Sequence, residues 1–165
     1  MKAVLRFSYL IALPFTVIAF ILMIKTNAIS TPFKNGIEWF VTGEEALFGA
    51  PPIGSRSAPT YPSSVALASW IIAIVVMVIL LLGSVLRIMY GDDFHGLHIF
   101  LRILCIIGLL ISGIFIFFVV TNFIEINKLG APFNSTRLGQ GWGLAASFYF
   151  LSALIITSSL VFGDR

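Results

Sequence analysis

Charge is what this 165-residue chain has least of: Asp, Glu, Lys and Arg together make up 10% of it. None of them, and no His, falls within residues 7–24, 57–86, 103–124 or 138–163. A catalyst, pump or proton relay working inside a bilayer keeps an acid, base or cation there, since ionisable groups are costly in hydrocarbon and are retained for a use. The uncharged windows exclude that usual machinery. Cysteine is almost absent too. Cys105 stands alone inside the third window, which excludes an intrachain disulfide and reads as a small packing residue. With two His on one short segment, no Ser/His/Asp or Cys/His set assembles, and no phosphate-binding glycine loop is present. The net charge of +3 is spread without blocks of one sign, so neither nucleic acid nor a polybasic lipid site is indicated.

What the chain has instead is apolar length. Hydrophobic residues reach 59% and mean hydropathy is +1.05. About 20 helical residues cross a hydrocarbon core about 30 Å thick. Four spans follow, about 5–24, 65–86, 99–124 and 141–162, joined by loops 25–64, 87–98 and 125–140. Strand-like alternation is not seen, which argues against a β-barrel. The expected fold is all-α: one four-helix transmembrane domain over residues 1–165.

The basic start at Lys2 and Arg6 and the apolar run resemble a secretory signal, but Thr26-Asn27-Ala28 is a poor cleavage site, so a retained helix is expected. Pro14 should kink that helix or leave a carbonyl for a neighbour to satisfy. In the first loop Asn35-Gly36-Ile37-Glu38 looks like a capping box. Behind it Ile37, Phe40, Val41, Leu47 and Phe48 share a helical face, and Gly49 and Pro51-Pro52 end the pattern. This predicts a short amphipathic interfacial helix with Trp39 at headgroup depth, the alternative being an irregular loop over the bundle. The prolines between Pro51 and Pro62 imply an extended connector. Five basic residues fall on each side of the membrane. Lys2 and Arg6 then favour termini on the cytoplasmic, matrix or stromal side.

Asp92, Asp93, His95 and His98 are the one cluster with metal-ligand chemistry, since two imidazoles three apart on a helix can meet one ion. Gly91 and Gly96 point instead to a solvated turn. Haem is disfavoured because no other span carries a His to face these two. Arg102, one turn into the third span, is expected to snorkel, with a phospholipid headgroup or an acidic partner as its other uses. Asn134-Ser135-Thr136 matches a glycosylation sequon close to the fourth span. Small residues three or four apart allow close helix contacts: Ala66, Ser69 and Ala73; Gly108 and Ser112; Gly139, Gly143 and Ser147. Spacing leaves open whether these line the bundle or dock a partner. Ile114, Phe115, Phe117 and Phe118 should then face lipid or another protein.

A long first loop, a tight turn and a shorter second loop resemble the layout of the claudin/PMP22-like four-helix membrane proteins. Leu138-Gly139-Gln140-Gly141-Trp142-Gly143-Leu144-Ala145-Ala146-Ser147 is similar to that family's Gly-Trp-containing start of the fourth helix, and Gly36-Ile37-Glu38-Trp39 resembles its first-loop Gly-Leu-Trp motif. In the family that motif precedes two cysteines whose disulfide staples a strand-rich extracellular sheet, and no loop cysteine is present here. The resemblance implies a non-enzymatic role in membrane organisation, cell contact or channel regulation. The residues themselves point first to a non-catalytic accessory or structural subunit of a larger membrane complex. The partners expected are the bilayer and other integral membrane subunits or further copies. No cofactor, nucleic acid or small-molecule substrate is expected. A small metal- or cofactor-binding membrane enzyme subunit is the distant third reading.

Overall fold

The computed structural model describes residues 7–32, 38–50, 59–91, 94–129 and 135–162. In chain order the elements are α1 (Ser8–Lys25), β1 (Asn27–Pro32), β2 (Glu38–Thr42), α2 (Gly43–Phe48), α3 (Ser64–Tyr90), α4 (His95–Ile126), β3 (Arg137–Leu138) and α5 (Gln140–Phe162). α1, α3, α4 and α5 are each long and apolar enough to cross a membrane, so the chain is a multi-pass, predominantly helical membrane protein. Only 28–39% of each spanning window is buried within the chain, so every helix also presents partly buried and exposed apolar residues on its outer side. Ile114, Phe117 and Phe118 are among the outward residues, at 47%, 57% and 57% exposure.

The helix ends differ from the positions that charge suggested. α3 is capped by the Ser63 hydroxyl, which accepts from the Ala66 N–H at 3.2 Å. It runs through Arg87 to Tyr90 before Gly91 turns the chain at a φ of +58°. The Arg87 guanidinium donates to the Gly91 carbonyl at 3.2 Å. A cation in the last turn supports a helix C terminus rather than ending it earlier. His95 and His98, expected in a loop, form the first turn of α4. α1 stays helical through Pro14.

The first long loop needs a larger correction. Residues 38–48 do not make one amphipathic helix. Glu38–Thr42 is a strand, and only Gly43–Phe48 is helical. The expected cap at Asn35 lies outside the described residues, whereas Thr42 accepts from the Glu45 N–H at 3.2 Å and starts the short helix. β2 pairs antiparallel with β1, and β1 pairs antiparallel with β3 from the other long loop, giving the order β2-β1-β3. Trp39 is therefore a half-buried strand residue rather than one of an interfacial helix.

The four long helices form a ring in which α1 touches α3 and α5, and α4 touches the same two. Small residues set these contacts. A side chain on Gly108 would strike Val76, one on Gly113 would strike the Phe150 ring, and one on Gly83 would strike Tyr9. Ala66, Ser69 and Ala73 are fully buried. At the sheet end Phe20 stacks on Trp70 with centroids 5.3 Å apart, and Phe48 meets the same indole edge-on at 5.4 Å. That contact ties α1, α2 and α3 together.

Candidate functional site

Polar groups gather in three regions: the middle of the bundle, the end bearing the α3–α4 turn, and the end bearing the sheet. In the middle, hydroxyls bond across helices. Ser69 donates to the Ser112 carbonyl at 2.9 Å and Ser112 returns a bond to the Ser69 carbonyl at 3.2 Å. Thr16 donates to the Ala12 carbonyl (3.0 Å), and Ser152, whose own hydroxyl also accepts from Thr16 (3.2 Å), donates to the same carbonyl at 3.2 Å. The Ala12 carbonyl thus holds two side-chain donors beside Pro14. Towards the sheet end, the buried Trp142 indole N–H donates to the Met23 carbonyl at 3.0 Å, and the Tyr149 hydroxyl donates to Met23 Sδ at 3.3 Å. Asn122 and Asn127 hold the connector that leads into α3. Asn122 Oδ1 accepts from the Ser63 hydroxyl at 2.7 Å, while Asn127 exchanges bonds with the Tyr61 backbone at 2.7 and 3.0 Å. These two anchors were missed in the sequence, although an Asn in an apolar run is itself a signal.

At the turn end, Arg102 does not snorkel. It is 1% exposed, with its guanidinium 5.7 Å from the centre of the Tyr9 ring. The Tyr9 hydroxyl donates to the His98 carbonyl at 2.8 Å, and the rings of Tyr9 and His98 lie 6.1 Å apart. Arg102 and His98 therefore belong to the α1–α4 contact, behind a Tyr that packs on Gly83. His95, in the same turn as His98, is exposed. Asp92 and Asp93 lie outside the described residues. Among the described residues no three His, Cys, Asp or Glu side chains converge as metal ligands.

The sheet end carries an open groove of about 720 Å³. Beside it the β1–β2 register shifts between Asn27 and Ile29, a bulge at which Ala28 and Ile29 are both buried. Val41, Ile29 and Leu138 then make one row across the sheet towards the bundle. Phe40, Ser30 and Arg137 make the opposite row, with Glu38 beside Pro32 on that same face. Asn27, Phe40, Glu38 and Arg137 are among the residues that line the groove, and the junction of Thr26 with Gly139–Gly141 forms another part of its wall. Only glycine fits there, because a side chain on Gly139 would collide with the Asn27 carbonyl and one on Gly141 with Thr26.

Of the other sequence candidates, Gly108 and Ser112 face inward. Gly143 and Ser147 do not: a side chain on Gly143 would meet nothing within 4 Å, and Ser147 is exposed with its hydroxyl bonded to the Gly143 carbonyl at 3.0 Å. Asn134 lies outside the described residues. No protein-family model, curated protein or solved structure matches this chain.

Proposed function

We propose that the protein works without catalysis, as an integral membrane structural or accessory subunit that packs against a larger membrane complex and stabilises it. The observation that carries this reading is how polar atoms inside the spans are used. Ser69 with Ser112, Thr16 with Ser152, and Trp142 with Met23 close onto one another and fix helix against helix. A reaction chamber would turn such groups towards a shared space. The outward Gly143 and Ser147 on α5 supply a low ridge against which another helix backbone packs closely.

A second reading, a claudin-like tetraspan in membrane organisation, adhesion or channel regulation, is favoured by a different observation. Both long loops contribute to one sheet mounted beyond the spans, the kind of layer that the resemblance implies. Here glycine contacts and backbone pairing hold it in place of a disulfide. Solubilisation in a mild detergent, followed by native gel and mass spectrometry, tests the two. Co-migration with larger partners at fixed stoichiometry supports the subunit. A monomer or self-polymer refutes it and supports the tetraspan.

A further inference from the structure

Glu38 and Arg137 stand on one face of the sheet, on either side of β1, and both line the groove. Glu38 pairs with Pro32 and Arg137 with Ser30. Two strand spacings and a two-residue offset put their Cα atoms about 12 Å apart. They do not form an ion pair with each other, and neither bonds another side chain among the described residues. Phe40, 42% exposed, lies in the row of Arg137 and two residues from Glu38 on the same strand face. The groove sits where α1 ends and α5 begins, which for membrane-spanning helices is the depth of the lipid headgroups.

We propose that this groove binds a zwitterion carrying a phosphate and an ammonium group. The planar fork of Arg137 takes the phosphate, since guanidinium matches phosphate oxygens two at a time. Glu38 takes the ammonium, and the Phe40 ring covers it from the side. Two opposite charges held apart on a concave wall suit a ligand whose own charges are separated by a short carbon linker. Water would solvate them equally well on a flat surface, but a cleft concentrates the field of each. The same chemistry has two sources, a phospholipid headgroup or a free phosphorylated amine.

The test uses the full chain in two arms. In the first, protein in mild detergent is equilibrated with equal amounts of phosphatidylethanolamine and phosphatidylglycerol, and retained lipid is counted by native mass spectrometry. In the second, protein in phosphatidylglycerol nanodiscs is titrated with O-phosphoethanolamine by calorimetry. Preference for phosphatidylethanolamine by about tenfold, which corresponds to about 1.4 kcal/mol, identifies a lipid. Saturable binding of O-phosphoethanolamine identifies a soluble ligand. Either result supports the site, provided Arg137→Gln abolishes retention and Glu38→Gln removes the preference for the ammonium-bearing ligand. The double exchange Glu38→Arg/Arg137→Glu restores it with the ligand reversed, and thermal melts verify that each variant is folded. Absence of binding in both arms, or binding unchanged in either single variant, overturns the proposal.

Discussion

Gly139 and Gly143 are two glycines four residues apart at the start of α5, and the structure assigns them opposite roles. The expected consequence is that Gly139→Ala destabilises the protein while Gly143→Ala does not. At Gly139 the new methyl group meets the Asn27 backbone carbonyl, not a flexible side chain, so β1 or α5 must move. Its N–H bond to the Ala28 carbonyl, at 2.8 Å, would lengthen as they part. Overpacking against such a wall costs about 1–3 kcal/mol, and a weakened backbone bond adds about 1 kcal/mol. At Gly143 the methyl group enters open space inside a helix, where replacing glycine by alanine gains about 0.5–1 kcal/mol. The two variants should therefore differ by about 2.5–5 kcal/mol. Equilibrium unfolding in mixed micelles reports this through tryptophan fluorescence, to which Trp142, buried against Met23, contributes. Equal stabilities, or a greater loss at Gly143, would refute the assignment of Gly139 to an intramolecular contact and Gly143 to an open face.

Ser69→Ala and Ser112→Ala should each cost about 0.6 kcal/mol, the usual worth of an interhelical hydroxyl bond in a bilayer, measured by the same unfolding assay. Cysteine placed at His95 should react quickly with a membrane-impermeant maleimide, and cysteine placed at His98 or Arg102 at least about tenfold more slowly; the buried native Cys105 gives the unreactive baseline. Labelling from one face of sealed vesicles also assigns the side on which the α3–α4 turn lies. Lys25 and Glu44 form a 3.5 Å ion pair with both side chains exposed, so Lys25→Ala should change stability by less than about 1 kcal/mol, and less still at high salt.

The four spans were legible because uninterrupted apolar length, in a chain this short of charge, fits little besides helices that cross a bilayer. Their ends were less so. Arg87 and His98 carry polar groups, but polarity marks where a side chain's head is tolerated, and backbone hydrogen bonding continues past it. The sheet was not legible, for reasons visible in each strand. The bulge at Ala28 breaks the alternation of β1, β2 is only five residues long, and β3 has two residues in a different loop. Glu38-Trp39-Phe40-Val41-Thr42 fits one face of a helix about as well as one face of a strand. A better cap stood nearby, since Thr42-Gly43-Glu44-Glu45 has a hydroxyl followed by a carboxylate at the right spacing. Gly43, awkward within a longer helix, is required by its contact with the Met23 carbonyl. The groove could not be read at all, because the pairing that brings Glu38 and Arg137 to one face is tertiary. Small-residue spacing likewise gave the periodicity of Gly108 and Ser112 and of Gly143 and Ser147, but not which pair turns inward.

Only Thr26 separates α1 from β1, and only Gly139 separates β3 from α5. Both joints are locked, Thr26 through its hydroxyl to the Leu22 carbonyl at 2.7 Å and Gly139 through its amide to Ala28. The little platform of strands is thus welded to the first and last membrane helices without a swivel. Bilayer thickness sets how far spanning helices lean. A lean of one helix against the other is therefore expected to reach the strands as a twist.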